Sequence, residues 1–309
     1  MSAFVDIRCA LVVGGLSLKE QESQMRSRPE VVVATPGRMI DLLMNSRAVD
    51  LDDLAALVLD EADRLLEMGF MDEVKTVVKL CPKKRQTLLF SATMTDQVKR
   101  LAAVSLQQPV RLAADKANRA PKDLTQEIVR LKAAQADHKE AALLALCARS
   151  LSAGRVIVFC DRKQKAHRIR VLFGLANLPA AAELHGNMAQ EDRLLSLERF
   201  RKAEVKFLVC TDVAARGLDI VGVETVVNFD APKQLATYLH RIGRTARAGR
   251  DGRAITFVTD DDRAILKTIV KSQQGVPLKT RVIPAQAVQQ MQSVIEDVTE
   301  DFQVSSRSR

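Results

Sequence analysis

Short apolar runs alternate with amphipathic stretches along most of this chain of 309 residues. Residues 54–59, 155–159 and 206–210 have the length of a buried strand, and the stretches after them repeat apolar residues at helical spacing. A strand that is apolar on both faces is typical of a parallel sheet, because the connections between parallel strands cover both faces with helices. The sequence therefore predicts an α/β fold with parallel sheets flanked by helices.

The alternation occurs twice. In the first part, strands are predicted at residues 8–13, 31–35, 54–59 and 86–90, and helices at 18–26, 38–45, 71–80 and 95–105. In the second part, strands are predicted at 126–131, 155–159, 182–185, 206–210, 225–229 and 253–258, and helices at 139–150, 163–176, 190–201, 234–242 and 260–273. We expect a first domain over residues 1–116, a linker over 117–122, a second domain over 123–285, and over 286–309 an amphipathic helix with a frayed tail from Val304.

The net charge of +9 is unevenly distributed, with +1 over residues 1–120 and +8 over residues 121–309. A basic surplus of this size suits a polyphosphate partner. Many soluble proteins are equally basic without binding nucleic acid, so the charge alone leaves both interpretations open.

The five cysteines are scattered without a Cys-x-x-Cys pair, which favours a reducing, intracellular compartment. Cys160 and Cys210 lie in apolar strand runs, where a cysteine is usually a small buried hydrophobe. No apolar stretch approaches the roughly 20 residues that cross a bilayer, and no secretory signal is visible, so we expect no membrane partner.

Asp60 and Glu61 stand directly after the predicted strand at residues 54–59. In open α/β sheets, ligands bind at the carboxyl ends of the strands. A carboxylate there can hold Mg²⁺, directly or through water, and its neighbour can position or deprotonate an attacking water. The alternative is that both acids only stabilise the first turn of the next helix, by about 0.3–1 kcal/mol.

Two further strand ends carry small polar residues. Ser91 and Thr93 follow the predicted strand at 86–90 and can hydrogen-bond the acidic cluster, although both types are also ordinary in loops and helix caps. The segment Thr35-Pro-Gly37-Arg38 combines a strand end, a tight turn and a helix N-terminus. That combination is an anion-binding arrangement.

The second part has two segments of the same kind. After His240, arginine recurs at every third position, at Arg241, Arg244, Arg247, Arg250 and Arg253. Guanidinium groups can stabilise the charge of a γ-phosphate, and the alternative is a solvated basic face. After the strand at 206–210, Thr211 and Gly217 can present a hydroxyl and an N–H to a phosphate, and Asp219 can bind a ribose hydroxyl. Each is also a common loop residue.

In order and spacing, these motifs resemble the DEAD-box RNA helicases of superfamily 2. The first part supplies Gly14-Gly15, Thr35-Pro-Gly-Arg38, Asp60-Glu-Ala-Asp63 and Ser91-Ala-Thr93. The second supplies Val156-Ile-Val-Phe159, Gln190-Glu-Asp-Arg193, the 211–220 stretch and the segment from His240 to Arg247. The resemblance covers residues 5–285 and implies two RecA-like domains with parallel sheets flanked by helices, the first of them incomplete.

The resemblance also implies the cofactors, ATP and Mg²⁺, and a role for each matching residue. Around the nucleotide it implies Asp60 at Mg²⁺ through water, Glu61 at the attacking water, Asp219 at the ribose, and Arg244 and Arg247 at the γ-phosphate. For coupling between ATP and RNA it implies Asp63, Ser91, Thr93 and His240. For contact with RNA phosphates or riboses it implies Gly15, Thr35, Gly37, Arg38, Arg193, Thr211 and Gly217. In this family, ATP closes two domains over one RNA strand, whose bend opens a short duplex locally.

One departure from the family pattern bears on activity. The adenine-reading glutamine segment and the Gly-x-Gly-Lys-Thr phosphate loop are absent from these 309 residues. We expect an N-terminally truncated ATP-dependent RNA helicase that is inactive by itself, because nothing here cradles the β- and γ-phosphates. The lost region would carry a central strand, so its neighbours would expose apolar faces and unpaired edges. Two alternatives stay open: a non-catalytic RNA- or protein-binding module, and a DNA helicase.

Within the family, three segments look similar to the nucleolar branch that assembles the large ribosomal subunit. They are residues 15–21, residues 91–102 and residues 240–250. This similarity implies a nuclear or nucleolar location, with pre-ribosomal RNA and ribosome assembly factors as partners of a monomer. Aromatic residues make up only 4% of the chain, which suits contact with the RNA backbone and little sequence preference.

Overall fold

The protein folds as two compact units, Met1–Ala117 and Asn118–Arg309. The structure, a computed structural model, describes residues 6–46, 49–112, 123–151, 154–212, 222–246, 250–272 and 278–307. The linker predicted at 117–122 lies outside these ranges, and the predicted domain bounds stay a prediction.

The described residues of the first unit alternate strands and helices in the predicted way. In chain order they form β1 (Cys9–Val12), α1 (Leu18–Arg26), β2 (Val31–Ala34), α2 (Pro36–Asn45), β3 (Ala56–Leu59), α3 (Ala62–Glu67), α4 (Met71–Leu80), β4 (Gln86–Leu89) and α5 (Asp96–Ser105). Strand β1 pairs in parallel with β2, and β3 pairs in parallel with β4. In the part of the chain that the structure describes, these are two separate sheets of two strands each.

Local sequence signals account for the starts of the longer helices. The Ser17 hydroxyl accepts a hydrogen bond from the Glu20 N–H at the start of α1, and the Thr95 hydroxyl accepts one from the Val98 N–H at the start of α5. Helix α2 begins with Pro36, whose missing N–H would have no partner in the first turn. These caps fix where each helix begins after its strand.

One face of each two-stranded sheet is exposed. The exposed apolar side chains include Leu11 (48% exposed), Val33 (58%), Val58 (53%) and Phe90 (54%). Phe90 ends the apolar run predicted as a strand at 86–90, where a core residue is expected, yet its side chain is exposed. An apolar run cannot show whether both faces of its strand are covered, and here the helices cover only one.

The second unit is a larger parallel α/β layer. Its described elements are β5 (Leu124–Arg130), α6 (Lys139–Ser150), β6 (Arg155–Cys160), α7 (Lys163–Leu175), β7 (Ala181–Leu184), α8 (Gln190–Arg201), β8 (Phe207–Thr211), β9 (Val223–Asn228), α9 (Leu235–Ile242), β10 (Gly252–Val258), α10 (Arg263–Ser272), β11 (Lys279–Thr280) and α11 (Ala285–Arg307). Its seven strands lie in the order β11-β5-β10-β9-β6-β8-β7, and every pairing is parallel.

Both faces of this sheet are buried. On β6, Val156 and Val158 belong to the apolar cluster on one face, while Ile157 and Phe159 belong to the cluster on the other. The two-sided burial confirms the α/β fold predicted from continuous apolar strands. Cys160 and Cys210 are buried free cysteines, as predicted, and burial raises the pKa of both thiols.

Most predicted elements are present, with a few differences. Unpredicted elements are the short helix α3, the two-residue strand β11 and a 3₁₀ helix at Ala133–His138. The helix predicted at 260–273 is divided, because Thr259 and Asp262 form a capping box around the 3₁₀ turn Asp260–Asp262 before α10 begins. The frayed tail predicted from Val304 is wrong, since α11 continues to Arg307. None of the described helices is long and apolar enough to cross a membrane.

Candidate functional site

The acidic motif of the first unit lies at the carboxyl end of β3. Asp60 directly follows the strand, and its Oδ1 accepts a hydrogen bond from the Glu61 N–H at 2.9 Å. Glu61 adopts a left-handed conformation, with φ 47° and ψ 46°, and begins α3 without a side-chain capping bond. Both side chains are exposed. Glu61 makes no capping hydrogen bond, and the roles of both carboxylates in ligand binding or in stabilising the helix start stay predictions.

Asp63 connects this motif to the next strand end. Its side chain is buried, and its Oδ2 accepts hydrogen bonds from the Thr93 N–H at 2.9 Å and the Thr93 Oγ1 at 2.8 Å. The Asp63 N–H donates to Ser91 Oγ at 3.3 Å, and Ser91 Oγ donates to the Thr93 carbonyl at 2.8 Å. The predicted contact between the hydroxyl residues and the acidic cluster is therefore present, and its role in coupling stays a prediction.

Two turns of the first unit are candidates for binding phosphate, and they lie together where β1 and β2 end. Gly15 has φ 81°, a conformation that favours glycine, in the turn after β1. Arg38, near the start of α2, donates from Nη1 to the Leu16 carbonyl at 2.9 Å, and the Thr35 N–H donates to the Val12 carbonyl at 2.9 Å. An added Cβ on Gly37 would meet no atom within 4 Å, so the backbone there is open. These bonds hold Gly15, Thr35, Gly37 and Arg38 around one strand edge.

Two RNA candidates of the second unit are described. Thr211 is the last residue of β8 and is half-buried. Arg193 lies in the first half of α8, where its Nη1 donates to Gln190 Oε1 at 2.9 Å and its Nε is buried without a hydrogen-bond partner among the described residues. Gly217, Asp219 and Arg247 lie outside the described residues.

The arginines that recur at every third position after His240 do not form a single basic face in the part of this segment that the structure describes. His240 and Arg241 lie in α9, Arg244 lies in the turn after it, and Arg253 lies in β10. Arg241 is buried, whereas His240 and Arg244 are half-buried. The Arg244 N–H donates to the Arg241 carbonyl at 3.1 Å, so the buried arginine and the candidate γ-phosphate ligand share one helical end.

Three acids at the carboxyl edge of the second sheet escaped the sequence prediction. They follow three neighbouring strands and face cations from helices, and they are Asp161, Asp212 and Asp230. The signal was the one that identified Asp60, an acid directly after an apolar strand. It was present at Asp230, which directly follows the strand predicted at 225–229. Asp161 and Asp212 lie one residue beyond the strands predicted at 155–159 and 206–210, and at Asp212 the Thr211 hydroxyl drew the prediction instead.

Comparisons with known proteins agree with these motifs. A family profile described as DEAD/DEAH box helicase matches residues 1–101, and one described as helicase conserved C-terminal domain matches residues 138–249. The structure of Saccharomyces cerevisiae Dbp5 bound to RNA and ADP BeF3 matches with a TM-score of 0.79 and 30% identity, covering 94% of this chain and 75% of that chain. The chain belongs to the DEAD-box helicase family.

Two curated DEAD-box relatives match almost the whole chain. DEAD-box ATP-dependent RNA helicase 28 of Arabidopsis thaliana is 56% identical over 302 residues, which are 98% of this chain and 38% of that protein. The ATP-dependent RNA helicase drs1 of Aspergillus oryzae is 48% identical over 304 residues, which are 98% of this chain and 37% of that protein. This DEAD-box chain therefore spans a little over a third of the length of these relatives.

Proposed function

We propose that this chain acts in an ATP-dependent RNA helicase, which opens short RNA duplexes or remodels RNA–protein complexes by hydrolysing ATP. The observation that carries the proposal is the hydrogen bonding of buried Asp63 to Ser91 and Thr93. It places the Asp-Glu-Ala-Asp motif and the Ser-Ala-Thr motif at one sheet edge, where a change at the nucleotide can move the second motif. The similarity to Dbp5, solved with RNA and ADP BeF3, supports it.

The residues around Asp60 fit Mg²⁺ held together with ATP. Asp60 offers an exposed carboxylate at a strand end, and Mg²⁺ takes oxygen ligands and keeps several waters. Among the described residues, no group of three or more His, Cys, Asp or Glu side chains can hold a metal ion unaided. We therefore assign Asp60 to Mg²⁺ through water, with phosphate oxygens as further ligands. Bound Mg²⁺ would neutralise charge on the phosphates.

The remaining roles around the nucleotide are those that the family resemblance implies, and each suits the chemistry of its side chain. Glu61, beside Asp60, would orient the attacking water and accept its proton. Arg244 and Arg247 would stabilise charge on the γ-phosphate, and Asp219 would accept a hydrogen bond from the ribose. His240, with Asp63, Ser91 and Thr93, would couple the state of the nucleotide to the binding of RNA.

RNA would be bound through its backbone. The assigned groups are small or positively charged, and they are Gly15, Thr35, Gly37, Arg38, Arg193, Thr211 and Gly217. Hydroxyl, backbone N–H and guanidinium groups recognise phosphates and riboses without reading bases. The low aromatic content supports this mode, because stacking platforms need aromatic side chains.

We also propose that the protein acts as a monomer on pre-ribosomal RNA with assembly factors in the nucleolus. The support is the likeness of residues 15–21, 91–102 and 240–250 to the ribosome-assembly branch, together with 48% identity to drs1.

The alternative, a non-catalytic RNA- or protein-binding module, rests on the absence of a Gly-x-Gly-Lys-Thr loop from these 309 residues. For the same reason we propose that the 309-residue chain does not hydrolyse ATP by itself.

The test compares RNA-stimulated ATP hydrolysis by the 309-residue chain with that by a fusion. In the fusion, a glutamine segment and a Gly-x-Gly-Lys-Thr phosphate loop of the family pattern are supplied by the segment that precedes the matching region in a DEAD-box relative, joined to the start of this chain. We expect RNA binding but no turnover from the chain, and turnover from the fusion. Glu61→Gln should lower the turnover of the fusion by about 10²-fold or more, because general-base catalysis contributes that much.

A matched substitution controls for the loss of one negative charge. Glu198→Gln removes an acid of α8 that is 57% exposed and pairs with Lys202. This substitution should leave turnover unchanged. A folded fusion that binds RNA without turnover would favour the non-catalytic module. Equal stimulation by single-stranded DNA would favour a DNA helicase instead.

A further inference from the structure

A network of six charged side chains joins the strand ends of the second sheet to three helices. Three acids follow three adjacent strands, and each pairs with a cation from α6, α7 or α9. The acids are Asp230 after β9, Asp161 after β6 and Asp212 after β8, and the cations are Lys139, Lys165 and Arg241.

Asp230 is the centre of this network. It is 7% exposed, and its Oδ1 accepts hydrogen bonds from Lys139 Nζ at 2.9 Å and Lys165 Nζ at 3.0 Å. Its Oδ2 accepts one from the Asp161 N–H at 3.0 Å, and its carbonyl accepts one from Arg241 Nη1 at 2.6 Å. One residue therefore links β6, β9 and all three helices.

Arg241 extends the network from Asp230 to the end of β8. It is 3% exposed, and its Nε and Nη2 donate to the two carboxylate oxygens of Asp212 at 2.7 and 2.8 Å. Its Nη1 also donates to Asn228 Oδ1 at 3.3 Å, and its guanidinium lies over the Phe159 ring at 5.1 Å. Four of the five N–H groups of Arg241 are bonded inside the protein, so this buried side chain is committed to its neighbours rather than presented to a phosphate in solvent.

Asp212 directly follows Thr211, the candidate RNA ligand at the end of β8. Thr211 is held on one side because it pairs with Cys160 of β6. The next residue, Asp212, is held by the two hydrogen bonds from the Arg241 guanidinium. We propose that Asp230 and Arg241 are positioning residues that fix Thr211 for contact with the backbone of single-stranded RNA. This inference rests on the RNA binding proposed above.

The test is a double-mutant cycle on the affinity of the full 309-residue chain for single-stranded oligouridine, measured by fluorescence anisotropy. Thr211→Val removes the hydroxyl, and Arg241→Lys keeps the charge but cannot form the two-pronged bond with Asp212. Each change should weaken binding about tenfold, the effect of losing one hydrogen bond to a charged group. If Arg241 acts through Thr211, the double variant should be about as weak as either single variant.

Different results separate the inference from the proposed function. If the double variant binds oligouridine about a hundredfold more weakly, the two effects multiply and the two residues act independently. That result would overturn the inference but not the RNA-binding proposal. No binding of oligouridine by the unaltered chain would overturn both the RNA-binding proposal and the inference.

Asp230→Asn replaces Arg241→Lys in the same cycle if the latter fails to fold, as judged by far-UV circular dichroism. Asp260→Asn is the matched control, because Asp260 is 52% exposed and pairs only with Arg263 in the described structure. The control should leave the affinity unchanged. Coupling between Asp230→Asn and Thr211→Val would support the inference, and its absence would overturn it.

Discussion

Asp63 and Thr93 join the segments that follow β3 and β4 of the first unit through one carboxylate oxygen that accepts two hydrogen bonds. Asp63 Oδ2 accepts from both the N–H and the hydroxyl of Thr93, at 2.9 and 2.8 Å, although 30 residues separate them in sequence. The buried carboxylate therefore receives two of its hydrogen bonds from Thr93 and one from the Arg64 N–H, and the segment after β4 is fixed relative to α3.

Removing the Thr93 hydroxyl should destabilise the protein. Thr93→Val leaves the buried Asp63 carboxylate with one bond fewer, and hydrogen bonds to charged groups contribute about 2 kcal/mol. We expect a loss of this size in the free energy of unfolding, measured by urea denaturation with far-UV circular dichroism. Thr76→Val is the matched control, because the Thr76 hydroxyl bonds only to the Asp72 carbonyl within α4 in the described structure. Equal losses at both positions would contradict this prediction.

The exposed sheet faces of the first unit should make the isolated chain associate at raised concentration. Val33 on β2 and Val58 on β3 present apolar surface beside strand edges that have no partner strand among the described residues, and such edges promote edge-to-edge contact. The double substitution Val33→Thr and Val58→Thr keeps a β-branched shape, and we expect it to reduce association seen by sedimentation velocity. Val158→Thr, at a fully buried position, should instead lower stability by about 1–3 kcal/mol without reducing association. Unchanged association in the double variant would rule out these faces as its cause.

The sequence predicted the second sheet well because its physical signal is local. The apolar runs that form β6 and β8 are buried on both faces, so continuous hydrophobicity marks each strand directly. Helix α3 was missed because it has six residues, and its buried side chains include the polar Asp63 and Arg64, so no apolar period shows. Such burial depends on partners that are distant in sequence.

The candidate sites divide in the same way. Strand-end acids and hydroxyls such as Asp60 and Ser91 could be predicted, because a parallel sheet brings its carboxyl ends to one edge. The position of Arg241 could not, since it appeared as one step of a basic ladder. Its burial depends on Asp212, 29 residues away, and on the Asp230 carbonyl. Tertiary pairing of this kind leaves no periodic trace in a sequence.

Stability of the second unit should depend on pH through Asp230. Burial alone would raise the pKa of this carboxyl, but Lys139, Lys165 and the Asp161 N–H outweigh burial and lower it to about 2. A lowered pKa stabilises the folded protein above the unfolded value of about 4, and this stabilisation is lost as the pH falls towards 2. Across that window we expect the free energy of unfolding of the unaltered chain to fall by about 2 kcal/mol more than that of the Asp230→Asn variant.

Tyrosine fluorescence can follow this unfolding, because the chain has one tyrosine and no tryptophan, and Tyr238 is buried in the second unit. Urea unfolding of both proteins at several values between pH 2 and pH 7 measures the difference. Asp261→Asn, which removes an exposed acid in the 3₁₀ turn Asp260–Asp262, should retain the pH dependence of the unaltered chain. Parallel pH profiles for Asp230→Asn and the unaltered chain would show that Asp230 is not the titrating group.

Two glycine substitutions should have opposite effects because of their surroundings. A Cβ on Gly252, at the start of β10, would lie 2.5 Å from the Ala246 nitrogen and 2.6 Å from Thr245 Oγ1. Thr245 Oγ1 lies 2.7 Å from the Val223 carbonyl that it bonds, so it cannot yield freely, and overpacking of this kind costs about 1–3 kcal/mol. Gly174 lies in α7 with nothing within 4 Å of its added Cβ, and alanine there should stabilise by about 0.4–1 kcal/mol.

Urea unfolding followed by Tyr238 fluorescence gives both values in the same unit. Gly252→Ala should also speed amide hydrogen exchange at Arg244 and Thr245, because the added methyl group pushes on the turn that carries the candidate γ-phosphate ligand. Exchange at these two amides should be unaffected by Gly174→Ala. A Gly252→Ala protein as stable as the unaltered chain would mean that the turn from Arg244 to Ala246 shifts without cost, and that the close approach of β10 does not fix it.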